Sequence, residues 1–501
     1  MPKYSKILRE DIIEFREYQH NIATEATKKN TLIVIPTALG KTIIAIIALS
    51  ILIENGGKCI FLAPTRPLVH QHANTIRRFL NIRNEEIVEV TGEIVREERQ
   101  ELYKSGRVIV STPQVIDNDE ELLIRIRKEV VTVIFDEAHR AIGNYAYVKI
   151  ADFFKDARII ATTASPGGDS SKIDEIVHNL HIEKIEIRDE KSPDVVPYLQ
   201  GIDVNQVKIQ MPKRYYEVVE KLRDMFLDTI GKFTNFSINI QIKSRKDLIA
   251  LGDVISSEIR KGNKYFFAVA RLRTVAIILD YFIEFAETQG LLPLKEYMKE
   301  TKENNKKAAG LFKDPKILSV ERDVDELTEG ELEEHTPKMH MVVKILTENQ
   351  YSKVIIFCHY RLTAEILTDV LRKNGFSCEK FIGQSSRSDG KGMSQKEQSS
   401  VIQRFREGET KIIVATQVGE EGLDIPSADT VIFYEPVPSE IRSIQRRGRT
   451  GRYGRGKVFI LIMENSRDIS YLYSASRKEK KMKYILSDER KNVQTTFDIF
   501  K

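Results

Sequence analysis

The sequence reads as an α/β chain, two parallel-sheet domains with an all-helical domain inserted between them, and three observations carry that reading. Short apolar runs alternate with helical patterns from Thr31 to about Ile187. The pattern then turns long and helical from about Arg214 to Phe312, with few glycines. A second alternating series starts after Thr336-Pro337. In the first series, strands are expected at residues 31–35, 58–62, 87–90, 107–110, 130–135 and 158–161. In the second they are expected at 353–357, 378–381, 411–415, 430–434 and 457–462. Runs such as Val130 to Phe135 are apolar throughout, as a strand covered on both faces of a parallel sheet requires. The acidic stretch from Glu321 to Glu334 reads as a polar linker. The division expected is therefore 1–205, first α/β domain; 206–334, helical insert and acidic linker; 335–470, second α/β domain; and 471–501, a basic tail.

Two segments carry chemistry. Pro36-Thr37-Ala38-Leu39-Gly40-Lys41-Thr42 follows the first apolar run and opens a helical pattern, where unpaired backbone amides and the macrodipole attract phosphate. Lys41 is placed to reach β- and γ-phosphates and Thr42 to hold magnesium. Ile35 and Ala38 stand where phosphate loops favour glycine, so the backbone has less freedom here. Asp136-Glu137-Ala138-His139 follows the strand at 130–135 and so lies at the carboxyl edge of the sheet, where α/β ligands bind. Asp136 then holds magnesium, and Glu137 orients or deprotonates an attacking water. Each segment alone has a plainer reading, a helix start or a solvated turn; their order along one chain favours a magnesium nucleotide.

Composition bounds the rest. The 501 residues are 41% hydrophobic and 30% charged, enough for about three domains of ~150 residues. A net charge of +5 permits a polyanionic partner without demanding one. Cys59, Cys358 and Cys378 have no metal or disulfide spacing and read as buried hydrophobes in a reducing compartment. The longest apolar run, Ile43 to Ile53, is too short to span a bilayer, and the N-terminus has no signal core, so a cytoplasmic location with no membrane partner is expected. Abundant Lys, Glu and Ile with no Trp suits a thermophile.

Further motifs carry a family resemblance. Arg16 and Gln19, the loop at 36–42, Ala63 to Arg66, Thr91-Gly92, Ser111-Thr112-Pro113, Asp136 to His139, Thr163 to Ser165, Ala415 through Gly422 to Asp424, and Gln445 to Arg452 resemble the ordered motifs of superfamily two helicases, over about residues 10–465. Within that superfamily the chain resembles the helicase portion of archaeal Hef proteins, kin to the Fanconi anaemia group M translocase, and more distantly the Dicer and innate-immune RNA sensor helicases. The resemblance implies two RecA-like domains that share ATP and magnesium at their seam. It gives Arg449 and Arg452 as arginine fingers, Gln445 near the γ-phosphate, Gly422 and Asp424 at the ribose or the fingers, and Arg16 and Gln19 at the adenine. It also gives His139, Thr163 and Ser165 the coupling of hydrolysis to movement. Nucleic-acid backbone contacts fall to Thr65, Arg66, Thr91, Gly92, Ser111 and Thr112 in the first domain and to His359, Arg361, Gly383, Gln384, Thr416 and Gln417 in the second. Glycines at 448, 451 and 454 separate the basic run Arg446 to Arg455 from a plain polyanion patch.

The activity these features imply is an ATP-dependent DNA helicase or translocase on branched DNA such as stalled forks, moving 3′ to 5′. The alternatives are an RNA-duplex-stimulated ATPase and an ATP-gated nucleic-acid clamp. The insert's Lys232, Lys243, Arg245, Lys246, Arg260, Lys261, Lys264, Arg271 and Arg273 could grip duplex arms, while Phe233, Phe236, Tyr265, Phe266 and Phe267 read first as its core. In the tail, Asp488 to Lys491 resembles the carboxylate and lysine cluster of the nuclease that follows Hef helicases, but Thr495 replaces the next acid, so a chain without its nuclease domain is expected. Gln494 to Phe500 resembles half of a sliding-clamp-binding peptide, but Lys501 stands where a second aromatic belongs, so a frayed terminus is the reading preferred over a clamp partner.

Overall fold

Apolar runs of four to eight residues leave few ways to bury both faces, and two parallel sheets result. The computed structural model describes residues 4–36, 39–167, 169–189, 192–198, 202–236, 242, 244–383, 392–416, 428–436, 456–478, 480–481 and 484. The first sheet holds β1 (Thr31–Val34), β2 (Lys58–Leu62), β3 (Ile87–Val90), β4 (Val108–Ser111), β5 (Val130–Asp136), β6 (Arg158–Thr163) and β7 (Lys184–Ile187), in the order β3-β4-β2-β5-β6-β1-β7. The second holds β8 (Ile202–Ile209), β9 (Val354–Phe357), β10 (Cys378–Phe381), β11 (Ile412–Ala415), β12 (Thr430–Phe433) and β13 (Gly456–Met463), in the order β10-β11-β9-β12-β13-β8. Every pairing in both sheets is parallel, so each sheet gathers its loops of chemical interest at one edge.

The expected strands all form, each within two residues of its expected ends. Two more, β7 and β8, escaped notice because Lys-Ile-Glu-Ile and Ile-Asp-Val-Asn-Gln-Val-Lys-Ile are too polar to register as apolar runs, as edge strands commonly are. β8 pairs with β13 along its whole length, from Ile202 opposite Gly456 to Ile209 opposite Met463. The segment just before the insert therefore belongs to the second sheet, and a boundary at residue 205 would cut a strand.

The acidic stretch expected to be a linker is helical. Glu321 lies within Pro315–Thr328, whose Ile317, Val320, Val324 and Leu327 are buried at helical spacing, and Leu332–His335 follows. Its acids occupy the solvent side of a packed helix, so charge density concealed an apolar stripe.

The insert shares its interior with the second sheet. One cluster of buried side chains runs from Ile209, Tyr215 and Leu222 through Phe282, Leu294 and Val320 to Ile356, Leu367 and Met463. A smaller cluster of Phe233, Leu248, Leu251, Ile255, Val269 and Ala276 holds the insert's outer end. At the junction a five-residue π-helical turn, Phe285–Gln289, is buried throughout. Its Gln289 accepts from Thr363 Oγ1 (2.8 Å), while Lys338 Nζ donates to the Thr288 carbonyl (2.8 Å) and pairs with Asp468 (2.5 Å). Arg467 binds Asp280 (2.8 Å) and Glu287 (3.4 Å), and Tyr360 donates to Glu284 (2.8 Å). These buried charges are paired, as burial demands. The first sheet is covered separately on its two faces. No helix among the described residues is long and apolar enough to cross a membrane.

The insert's expected contacts divide. Phe233 is core, with Phe236 and Phe266 packed against that cluster, whereas Tyr265 and Phe267 are 80% and 58% exposed. Arg245 is held by Asp280 and Glu284, and Arg273 donates to the carbonyls of Leu248 (2.5 Å) and Ile249 (3.2 Å), so neither guanidinium is free to grip a duplex.

Candidate nucleotide site and nucleic-acid edge

The helix Lys41–Ile53 is apolar on nearly every side, and it sits buried against the first sheet because no face of it can meet water. Gly40 caps it with φ 79°, and a Cβ there would fall 2.7 Å from Gln19 Nε2, so the turn needs glycine. Lys41 is 6% exposed, and its Nζ lacks a hydrogen-bond partner among the described residues, facing Glu137 Oε1 at 3.7 Å. A buried ammonium with so loose a partner fits a polyanion such as a triphosphate.

Asp136 ends β5 and Glu137 follows it. Asp136 Oδ1 accepts from Thr162 Oγ1 (2.8 Å), its Oδ2 lies 2.9 Å from His72 Nε2, and its carbonyl accepts from Tyr147 (2.6 Å). Burial alone would raise its pKa, but the His72 bond and the charges of His72 and Lys41 outweigh this and hold it well below the usual carboxylate range. Glu137 is likewise penalised by burial yet held low, chiefly by Lys41 and His139. Both are therefore ionised at neutral pH, one suited to a hard cation and the other to a proton. Magnesium would be held by Thr42 and Asp136, with the phosphates supplying further oxygens. His139 Nδ1 stands 3.4 Å from Glu137 Oε2 and 3.2 Å from Thr163 Oγ1, and the Thr163 hydroxyl donates to the Ser165 carbonyl (3.0 Å). The three residues expected to couple the site to movement thus form one chain from Glu137.

At the other end, Gln19 Nε2 and Tyr18 OH both donate to the Leu39 carbonyl, at 3.1 and 2.8 Å. Arg16 pairs with Glu14 (2.7 Å), and its guanidinium lies 5.6 Å from the centre of the Tyr198 ring. Gln19 thereby locks the phosphate loop through Leu39, beyond its expected role at adenine.

The loops after β2, β3 and β4 line the same edge. Arg66 is half exposed, pairs with Glu93 and lies beside Gly92. Thr91 is half-buried, Thr112 buried, and the Thr65 hydroxyl lacks a partner among the described residues. The Ser111 hydroxyl is fully buried and donates to the Val90 carbonyl (2.7 Å), stitching β3 to β4. In the second domain His359 and Arg361 are exposed after β9, Gly383 follows β10 and the buried Thr416 follows β11.

Three family models match the chain: "Type III restriction enzyme, res subunit" over residues 10–168, a helical bundle of ATP-dependent RNA helicases over 214–323, and "Helicase conserved C-terminal domain" over 337–454. The crystal structure of the Pyrococcus furiosus Hef helicase domain superposes with a TM-score of 0.72 at 40% identity, covering 94% of this chain and 100% of that one. The chain belongs to the Hef family of superfamily two helicases.

Among relatives of this Hef-family chain, a Methanocaldococcus jannaschii protein named as an ATP-dependent RNA helicase is 39% identical over 96% of this chain and 62% of its own length. The Arabidopsis thaliana DEAD-box ATP-dependent RNA helicase FANCM is 32% identical over 92% and 36%. The ATP-dependent DNA helicase mph1 of Sclerotinia sclerotiorum is 30% identical over 95% and 42%. The chain thus spans between 36% and 62% of the length of these curated relatives. Thr37, Ala38, Gln384, Gln417, Gly422, Asp424, Gln445, Arg449 and Arg452 lie outside the described residues, as do Lys243 and the tail motifs at 488–501. Sequence reading missed His72, Thr162, Tyr147 and Tyr198. No motif marks them, because each gains its role only by meeting a distant residue in the fold.

Proposed function

We propose that the Hef-family chain is an ATP-driven motor that translocates on DNA and remodels forks and junctions, moving 3′ to 5′. The observation that carries the motor reading is the quartet of buried Lys41 and Asp136 with the largely covered Glu137 and His139, at the carboxyl edge of a parallel sheet. Lys41 exchanges its loose contact with Glu137 for the β- and γ-phosphates, releasing the Glu137 carboxylate to take the proton of the attacking water. Magnesium, when bound, neutralises charge on the same phosphates. Arg449 and Arg452, by family likeness, arrive from the second lobe on closure, an effect of roughly 10³ to 10⁵ in rate in phosphoryl-transfer enzymes. His139, Thr163 and Ser165 then pass the state of Glu137 to the moving lobe. Archaeal origin belongs to this reading as an expectation.

The split in relatives' names between RNA and DNA helicases gives the second reading, an RNA-duplex-stimulated ATPase. ATPase stimulation by forked DNA, a four-way junction, single strands and duplex RNA decides between them. Greatest stimulation by branched DNA is expected; greatest stimulation by duplex RNA would overturn the DNA reading, and no stimulation by any of them would leave a clamp.

A further inference from the structure

His72 stands in the middle of the helix Arg66–Phe79, 3% exposed, with its ring 4.7 Å from that of Phe61. Its Nε2 lies 2.9 Å from Asp136 Oδ2, and its Nδ1 is buried with no hydrogen-bond partner among the described residues. An ionised carboxylate only accepts, so Nε2 carries the proton that joins them. Packing does not explain a histidine here. Leucine or phenylalanine would fill the space beside Phe61 without burying an unpaired nitrogen. Thr162 holds the other oxygen at 2.8 Å, so the carboxylate is gripped from two elements, β6 and the helix. Each oxygen keeps a second lone pair for another partner.

We propose that His72 is a positioning residue for Asp136, fixing the carboxylate in the orientation in which it meets the magnesium of a bound nucleotide. The proposal rests on the reading of Asp136 as the magnesium-holding carboxylate. With the His72 bond gone, Thr162 alone restrains rotation of the carboxylate, and affinity for the metal falls while contacts to the rest of the nucleotide stay.

The test is magnesium-dependent binding of a fluorescent ADP to the full chain, read as the magnesium concentration at half-saturation, with no turnover required. In H72Q the amide nitrogen stands where Nε2 does; in H72N the amide is too short to reach; H72L keeps the volume alone. H72L and H72N should need roughly 10 to 100 times more magnesium, H72Q should stay within about threefold of the parent, and all should bind alike in EDTA. An unchanged magnesium requirement in H72L and H72N would overturn the proposal. So would equal losses with and without magnesium, which packing alone would produce. D136N separates the two readings: if it shifts the requirement and H72N does not, only the role of His72 falls, whereas no shift in D136N removes the assignment of Asp136 itself.

Discussion

Glu137 adopts a left-handed backbone, φ 52°, that non-glycine residues rarely occupy, and the ion pair to Lys41 and the contact to His139 hold it there. Strain of this kind persists where surrounding structure over-determines it, and here it aims a carboxylate at Lys41 and His139. Replacing Glu137 by Gln keeps the shape and removes the carboxylate proposed as the base. Turnover should fall by about 10² to 10⁴ while nucleotide affinity holds, measured by ATPase assay beside fluorescent-nucleotide binding. His139 reaches both Glu137 and Thr163, so H139A should keep hydrolysis within about tenfold of the parent yet abolish strand separation, because the base survives and its link to Thr163 does not. At this scale the sequence disclosed Lys41, Asp136, Glu137 and His139, since each sits in a contiguous motif behind an apolar run. His72 was silent: it meets Asp136 64 positions away, and nothing local distinguishes it from any helical histidine.

Helix and strand contacts deliver those residues to one place. The helix Glu17–Lys28, which carries Gln19, is tied to β7 by Glu25, whose carboxylate accepts from Lys184 (2.7 Å) and Lys28 (2.9 Å). Those two bonds lower the pKa of Glu25 from 4.5 to about 2. A depressed folded value means that this support is complete above pH 4.5 and is lost as pH falls through about 2. K184M should therefore destabilise the chain at neutral pH and flatten the acid limb of its stability curve between those values, read by thermal melts across pH. The insert's junction is held by stronger means. Losing the Arg467 guanidinium removes one partner from Asp280 and Glu287, at 9% and 3% side-chain exposure, and leaves them to Arg245 and Arg223, so R467M should cost about 1–3 kcal/mol in urea unfolding. Sequence periodicity marked a helical stretch from about Arg214 to Phe312 and did not reveal the stripe hidden under acids at Glu321 to Glu334. β7 and β8 stayed illegible because an edge strand needs apolar residues on one face only, and alternation with lysine and glutamate resembles a loop.

For the molecule as a whole, two sheets gather their motif loops along their carboxyl edges, where Arg66, His359 and Arg361 are exposed, and the proposed function assigns these residues to a phosphate backbone. Affinity for single-stranded DNA should then fall linearly in log–log salt titration, with a slope of about −0.7 for each phosphate contacted, and sequence should matter little. A flat salt response, or strong sequence preference in fluorescence anisotropy, would contradict an interface of this kind. The two-lobed plan was legible from alternation alone. What it concealed was the point of exchange between lobes, which depends on β8 finding β13 across some 250 intervening positions, an order of separation no local pattern reports. Val195 is buried in the first lobe's interior and Tyr198 lies under Arg16, while Ile202 already pairs in the second sheet. In the sequence only positions 199–201 separate Tyr198 from Ile202. A protease site placed there should yield two pieces that each keep a whole sheet, the larger retaining the entire insert, as β1 to β7 all precede it and β8 to β13 all follow.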